Sequence, residues 1–517
     1  MHSFKCVLVL ALLSLVGALQ NPHQKAAKYL RKFTPPKFTK DAPRTLNGGL
    51  FLNQKTQRFA VRGNDLPEVD FNIGESYAGS LPITPGGNIL GNNLWFWFFP
   101  SINPAAKKEI VIWLAGGPGC SSLQGVLQEH GPFLWQSGTS EPVSNPFSWN
   151  KLTNVIYIDQ PVGTGFSQGN IPVNNETDVA KHFMGFWKNF VDTFSIQGYK
   201  IYLTGESYAG AYIPYIASAM LDNGNKTYFN VTGVQLNDPF INTLDVIQHA
   251  SAVPALEKYN NVIGLDSNTI DYFKSKADSC GYKSYHAQHT TTFPPSGPIP
   301  AAPSSGELNE CQLLAQIYGA ALVANPCFNV YHITDFCPLL DDQVGFPYFP
   351  PAPGSSSKYF NRADVQRAIH APRINYLVCD NNSNIFPDGD LSLPSSLGPL
   401  PSVIERTRNV IIAHGLLDFF FLADGTLISI QNMTWGDGLQ GFQTAPSPVS
   451  NFFVPGSATA GSGLQGVTHT ERGLTFVTIN LSGHFNAMYT PAAAYRQLEF
   501  LLGRISSLEQ QGPFTTG

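Results

Sequence analysis

The stretch Lys200 to Met220, KIYLTGESYAGAYIPYIASAM, constrains this chain more than any other. An apolar run (Ile201, Tyr202, Leu203) enters Gly205-Glu206-Ser207-Tyr208-Ala209-Gly210. Ala211, Ile213, Ile216, Ala217 and Met220 then recur at helical spacing. A strand that turns within G-x-S-x-G into a helix is the context of a nucleophile elbow. The glycines permit the tight turn, the serine hydroxyl is pushed outward, and the helix N-terminus favours developing negative charge. The same six residues stand earlier as Gly74-Glu75-Ser76-Tyr77-Ala78-Gly79, but Pro82 and Pro85 follow too closely for a helix. That copy is expected to be a strand and turn, which leaves Ser207 and not Ser76 as the nucleophile.

Around this elbow the pattern alternates. Asn93 to Pro100, Glu109 to Leu114, Asn154 to Ile158, Gly233 to Leu236, Val410 to Ala413 and Leu474 to Ile479 read as buried strands. Thr177 to Phe194 carries Val179, Phe183, Phe186, Trp187, Phe190 and Phe194 at helical spacing, a stripe suited to core packing. Strands alternating with helices predict an α/β fold with a mostly parallel central sheet flanked by helices. The rhythm is lost between about Thr243 and Ser357, where four cysteines and two Pro-rich stretches fall. An inserted cap is expected there, stapled by disulfides because its own core is small. The expected division is a signal peptide over 1–18, an N-terminal arm or propeptide over 19–47, and the first part of the core over 48–242. The cap then covers 243–357 and the second part of the core 358–517.

Charge and cysteine usage narrow the class. Charged residues make up 13%, and the net charge is -5. Neither nucleic acid nor an anionic membrane is an expected partner. Lys5 precedes the apolar run Cys6 to Leu13, and Val16-Gly17-Ala18 offers small residues for cleavage. Secretion is the expected address, with a vacuole or other acidic lumenal compartment as the alternative. Loss of the signal leaves Cys120, Cys280, Cys311, Cys327, Cys337 and Cys379, an even count that suggests up to three disulfides out of 15 pairings. Asn175, Asn225, Asn230, Asn381 and Asn432 head sequons and are glycosylation candidates; Asn480 also heads one, but its apolar run predicts a buried side chain. The chain holds neither C-x-x-C nor H-E-x-x-H, so no metal and no cofactor are expected.

An elbow serine requires a base and an orienting acid later in the chain, in the order Ser, Asp/Glu, His. Asp418 follows the strand-like Val410 to Ala413, and His484 follows Leu474 to Ile479. Both stand just past strand ends, where open α/β sheets place their sites. Glu109 to Leu114 runs into Ala115-Gly116-Gly117-Pro118-Gly119-Cys120-Ser121-Ser122. Such a turn can present backbone N–H groups to an oxyanion, and no lysine follows as phosphate binding would require. Gly163 and Gly165 read as a tight structural turn, because a dinucleotide loop would need a third glycine elsewhere.

With these residues in hand, the chain resembles the serine carboxypeptidases, peptidases of the α/β-hydrolase fold. The likeness rests on Trp113-Leu-Ala-Gly-Gly-Pro-Gly-Cys-Ser-Ser122, Asp159-Gln-Pro-Val-Gly-Thr-Gly-Phe-Ser167, Gly205-Glu-Ser-Tyr-Ala-Gly210 and Tyr359-Phe-Asn-Arg-Ala-Asp-Val-Gln366. It covers nearly everything after the arm and is weakest in the cap. The resemblance implies a catalytic triad of Ser207, Asp418 and His484, and an oxyanion hole from the N–H groups of Gly117 and Tyr208. It implies Trp113, Gly116, Glu129 and Glu206 around the C-terminal carboxylate of a peptide, and a Cys120–Cys379 disulfide. Pairing of the other four cysteines stays open. Three departures stand out. The usual G-D-x-D before the acid is Gly415-Leu416-Leu417-Asp418, and the usual H-M/E-V-P is His484-Phe485-Asn486-Ala487. W-L-N-G-G-P-G has become Trp113-Leu114-Ala115-Gly116, which removes a side-chain amide from the carboxylate site. The expected activity is serine-type carboxypeptidase hydrolysis through an acyl-enzyme, favoured at acidic pH. Peptides or proteins with a free C-terminus are the expected partners; a related acyltransferase or esterase is the alternative.

Overall fold

A computed structural model describes residues 49–88, 91–305, 309–345, 358–379, 385–456 and 461–516. The expected signal peptide, the basic arm, the Pro-rich stretch Phe346 to Pro353 and Asn381 lie outside the described residues.

Ten strands form one sheet. They are β1 (Tyr77–Pro82), β2 (Asn93–Phe99), β3 (Glu109–Leu114), β4 (Asn154–Asp159), β5 (Lys200–Glu206), β6 (Val231–Asn237), β7 (Val410–Gly415), β8 (Asn451–Val454), β9 (Gly463–Glu471) and β10 (Leu474–Ile479). Their order is β1-β2-β4-β3-β5-β6-β7-β10-β9-β8. The stretch from β4 to β10 pairs in parallel, and antiparallel strands close each edge. Parallel neighbours need crossover connections, and helices supply them. Two are α1 (Glu176–Phe194), between β4 and β5, and α2 (Ala209–Asn223), between β5 and β6.

Side chains alternate across each strand, so one strand feeds two cores. In β2, Phe96 and Phe98 join a cluster with Phe183, Phe186, Phe190 and Phe194 of α1. Trp95, Trp97 and Phe99 face the opposite layer, which includes Ala493, Tyr495 and Leu498 from the C-terminal helix. Asn175 starts α1 by accepting from the Asp178 N–H (3.0 Å), and Ser195 ends it in a left-handed conformation. Phe98 then meets Phe190 and Phe194 at ring-centroid distances of 5.5 and 5.2 Å. The aromatic stripe is core packing.

The duplicated hexapeptide sits in a different context from the elbow. Ser76 is buried just ahead of β1, and β1 runs antiparallel to β2 with no helix after it. Its neighbour Glu75 accepts from the N–H groups of Leu50 (2.7 Å) and Phe51 (2.8 Å).

The region from 243 onward, expected only as a cap stapled by disulfides, is largely helical. It holds α3 (Ala250–Ile263), α4 (Ser267–Ser279), α5 (Tyr282–Thr291) and α6 (Leu313–Ala324). Val253, Leu256, Phe273, Tyr282, Leu313 and Ile317 make a third cluster with Phe419 and Leu422 from beyond β7. Only Phe273 and Ala277 of α4 are buried, so its apolar periodicity is too weak to read in sequence. Cys280 pairs with Cys311 and Cys327 with Cys337. β8 and β9 were not anticipated either; β9 is broken by glycine and threonine. Asn480 corrects another expectation: it stands in the turn just after β10, exposed to solvent. No helix among the described residues is long and apolar enough to cross a membrane.

Candidate active site

The parallel strands all end on the same edge of the sheet, and Gly117, Ser207, Tyr208, Asp418 and His484 each lie just past one of those ends. β5 delivers Ser207 at φ +58°, a left-handed backbone that a non-glycine residue rarely adopts. The conformation is held on both sides. The Ser207 N–H donates to Asn237 O (3.0 Å), and Ser207 O accepts from Gly210 (2.9 Å) and Phe240 (2.8 Å). β7 leads to Asp418 and β10 to His484, whose Nδ1 lies 2.7 Å from Asp418 Oδ2. Asp418 is held in turn by the N–H groups of Phe420 (2.7 Å) and Phe421 (3.3 Å). Both members of the pair are buried. Ser207 and His484 are not hydrogen-bonded to each other; an aromatic run spans the rim between their loops. Tyr208 stacks on Phe240 (5.2 Å), Phe240 on Phe421 (5.8 Å), and Phe421 lies 5.5 Å from the His484 ring.

The glycine turn after β3 meets the elbow directly. A Cβ on Gly116 would fall 2.7 Å from Ser207 Cβ and 2.8 Å from Glu206 O, so only glycine allows this approach. Neither the Gly117 N–H nor the Tyr208 N–H donates to a backbone acceptor among the described residues. The turn is locked from behind. Asp159 accepts from Ser121 Oγ (2.6 Å) and the Ser122 N–H (2.9 Å) through one oxygen, and from the Phe166 N–H (2.9 Å) through the other. Burial raises that carboxyl to about 6 against these three bonds. Cys120 pairs with Cys379, the bridge that the resemblance implies.

Beside the elbow lies a group of polar atoms without conventional partners. Trp113 Nε1, both oxygens of Glu129 and Glu206 Oε2 are buried and have no conventional hydrogen-bond partner, the two carboxyls having only each other. Buried polar groups are ordinarily paired, so such a cluster marks a place for a ligand. Glu129 ends the π-helical turn Gly125–Glu129, and a Cβ on Gly125 would crowd the Trp113 indole. Burial pushes the Glu129 carboxyl up to about 8. Burial and the charge of Glu129 hold Glu206 well above the usual carboxylate range. The two carboxyls hydrogen-bond only when one of them carries a proton. Ala115 is buried and its N–H donates to Ser122 Oγ (3.1 Å).

Several residues that sequence reasoning missed complete the surroundings. Asn145 Nδ2 donates to Glu129 O (2.9 Å) and Gly131 O (3.0 Å), which fixes the end of the turn bearing Glu129. His130 stacks on Trp149 (3.8 Å) and packs edge-on to Trp113 (4.1 Å). Tyr208 donates through its hydroxyl to Asp390 (2.7 Å). The backbone of Tyr331 accepts from the His484 N–H (2.8 Å). None of these carries a motif; only folding brings them to the site. One group of His, Asp and Glu among the described residues has ligand-type atoms mutually close, Asp238, Asp418 and His484, within 4.8 Å.

A large parallel sheet with an elbow serine, an acid and a histidine beyond successive strand ends is the α/β-hydrolase fold. Comparison with known proteins narrows it further. A family model described as serine carboxypeptidase matches residues 67–503, and the chain belongs to that family. It is 50% identical over 463 residues to a carboxypeptidase Y homolog of Arthroderma benhamiae, covering 89% of each chain. It is 42% identical over 479 residues to serine-type carboxypeptidase F of Aspergillus niger, again covering 89% of each. The crystal structure of Kex1(delta)p, a prohormone-processing carboxypeptidase from Saccharomyces cerevisiae, superposes with a TM-score of 0.67 at 23% identity. That likeness covers 87% of this chain and 96% of the other.

Proposed function

We propose that this protein removes C-terminal residues from peptides and proteins through an acyl-enzyme, and that peptide cleavage is favoured at acidic pH. The observation that carries the reading is the buried set of Trp113 Nε1, Glu129 and Glu206 beside Ser207, in which the two carboxyls have no conventional donor but each other. An endopeptidase or a general esterase has no use for buried acids held protonated next to its nucleophile. A free C-terminal carboxylate does: it accepts from the Trp113 indole, the Gly116 N–H and whichever glutamate keeps its proton.

With the carboxylate held there, Ser207 Oγ attacks the last peptide carbonyl and His484 Nε2 takes its proton. The N–H groups of Gly117 and Tyr208 donate to the resulting oxyanion. Asp418 orients the imidazole through Nδ1. Collapse passes the proton to the leaving amine and releases the terminal amino acid; water, activated by His484, then cleaves the acyl-enzyme. Rising pH ionises Glu129 as it passes through about 8. The proton that donates to substrate is then lost and the carboxylates repel one another, so the KM for peptides rises before kcat falls.

The three disulfides fit an oxidising compartment, extracellular or lumenal. Ala115 favours a second reading, an acyltransferase or esterase, because it supplies no amide to the carboxylate. Blocked dipeptides with free and with amidated C-termini separate the two: a carboxypeptidase cleaves the free acids and largely spares the amides. Ser207→Ala should abolish covalent labelling by a fluorophosphonate while Ser76→Ala retains it. Labelling that follows Ser76 would overturn the assignment.

A further inference from the structure

One buried carboxyl touches the triad and takes part in none of the steps above. Asp238 directly follows β6, the strand between the nucleophile strand β5 and the acid strand β7. Its backbone is left-handed, φ +42°, and its N–H donates to Ala413 O (2.8 Å). Oδ1 accepts from the Gly415 N–H (2.9 Å) and lies 3.0 Å from His414 Nδ1. Oδ2 is buried and receives no hydrogen bond from a conventional donor. The side chain stands in the cluster with Asp418 and His484, whose ligand-type atoms lie within 4.8 Å of one another.

Two carboxylates at such separation, out of contact with water, cannot both be ionised. A counter-charge would be needed; His484 supplies one only after it has taken a proton, and His414 does not supply one. Burial lowers it to about 4, and its Nε2 pairs with Thr426 Oγ1 (2.8 Å). Burial and the charge of Asp418 together hold the Asp238 carboxyl well above the usual range; His484 and the Gly415 N–H oppose them. The other titratable groups around the pair are Glu206 at the end of β5 and Tyr331, which faces Asp418. Neither brings a positive charge.

We propose that Asp238 is a positioning residue of the triad, carrying a proton on Oδ2 and donating it to Asp418, so that the two carboxyls share one negative charge behind His484. The proposal rests on the reading of Asp418 and His484 as acid and base. A carboxylate that shares its charge stabilises an imidazolium less than a lone one does. The enzyme therefore keeps an unprotonated base to lower pH, which suits the acidic range in which the glutamate pair binds peptides.

The test uses a blocked amino-acid ethyl ester, which has no free carboxylate and so bypasses Glu129 and Glu206. Asp238→Asn keeps a neutral donor of the same shape. Its kcat/KM should stay within about fivefold of wild type, with the acid limb of the pH profile in place. Asp238→Ala removes the donor; kcat should fall about 10-fold or more, and the acid limb should move up by roughly half to one pH unit. A loss in Asp238→Asn as large as in Asp238→Ala would mean that an ionised Asp238 is required, and would overturn the proposal. So would an acid limb that Asp238→Ala leaves unmoved, since that is a packing role only. Should Asp238→Ala fail to fold, infrared difference spectra decide: a protonated-carboxyl band present in wild type must be missing from Asp238→Asn. Fluorophosphonate labelling of the wild type is run alongside. Unlabelled Ser207 would sink the triad itself, whereas a labelled enzyme that fails the Asp238 arms sinks this inference alone.

Discussion

Ala115 is the residue at which the chain departs most from its family, and its place tells what the departure does. It sits between Trp113 at the end of β3 and Gly116, whose backbone meets the elbow, and it is only 6% exposed. An asparagine there would add a donor to the proposed carboxylate site, already lined by the Trp113 indole and the glutamate pair. A hydrogen bond to a charged group contributes roughly 1.5–3 kcal/mol. Ala115→Asn should raise kcat/KM for peptides with free C-termini by about 10-fold, the lower end, because existing donors already serve the carboxylate. The amides should be unaffected. Equal changes for free acids and amides would show that position 115 does not face the carboxylate. Loss of activity would show that the pocket has closed around alanine.

At the scale of elements, the loops bearing Asp418 and His484 depend on a segment far from them in sequence. The Ile333 N–H donates to Leu417 O (3.1 Å), the Phe419 N–H to Val330 O (2.7 Å), and the His484 N–H to Tyr331 O (2.8 Å). The 330–333 segment is thus wedged between the loop bearing Asp418 and the loop bearing His484. Asn329 and His332 both bond Asp335, and the Cys327–Cys337 bridge closes the loop over a separation of 10 residues. Closing a loop of that size stabilises by about 2–3 kcal/mol. Replacing both cysteines by serine should lower the melting temperature by several degrees and kcat by about 10-fold. The KM for peptides should change little, because Glu129 and Glu206 lie on other elements. A KM that rises with unchanged kcat would show that the segment serves substrate binding instead.

Across the whole molecule, buried ionisable groups set the pH of greatest stability. Burial raises Glu109, Glu129, Asp159, Glu176, Glu206 and Asp238. A raised carboxyl contributes stability that is full below its unfolded value and is lost as pH climbs through the folded one. For Asp159 and Glu129 that loss runs up to about 6 and about 8. Burial also lowers His130, His249 and His414. A lowered histidine contributes stability above its unfolded value and loses it as pH falls, for His414 down to about 4. The two sets squeeze stability into mildly acidic conditions. The melting temperature should peak there and decline towards pH 8, and Glu129→Gln should make the alkaline decline shallower. An unchanged slope in Glu129→Gln would place the destabilising charge elsewhere.

The sequence by itself determined most strands of the sheet, the elbow, and the placing of Asp418 and His484 past strand ends, because each is written in short-range terms. Buried parallel strands are continuous apolar runs, β5 turns into α2 through glycines, and Asp418 and His484 each follow such a run. It also separated Ser207 from Ser76, since proline forbids the helix an elbow needs. Three things only the tertiary structure decided. The helices α4 and α5 bury only two side chains each, too few to show a period, and they pack in one cluster with α3, α6 and Phe419 and Leu422 from beyond β7. The pairing of Cys280, Cys311, Cys327 and Cys337 depends on which backbones approach, and no spacing encodes that. Asp238 is one aspartate after an ordinary strand until β6 is laid between β5 and β7, where its buried carboxyl is set beside Asp418.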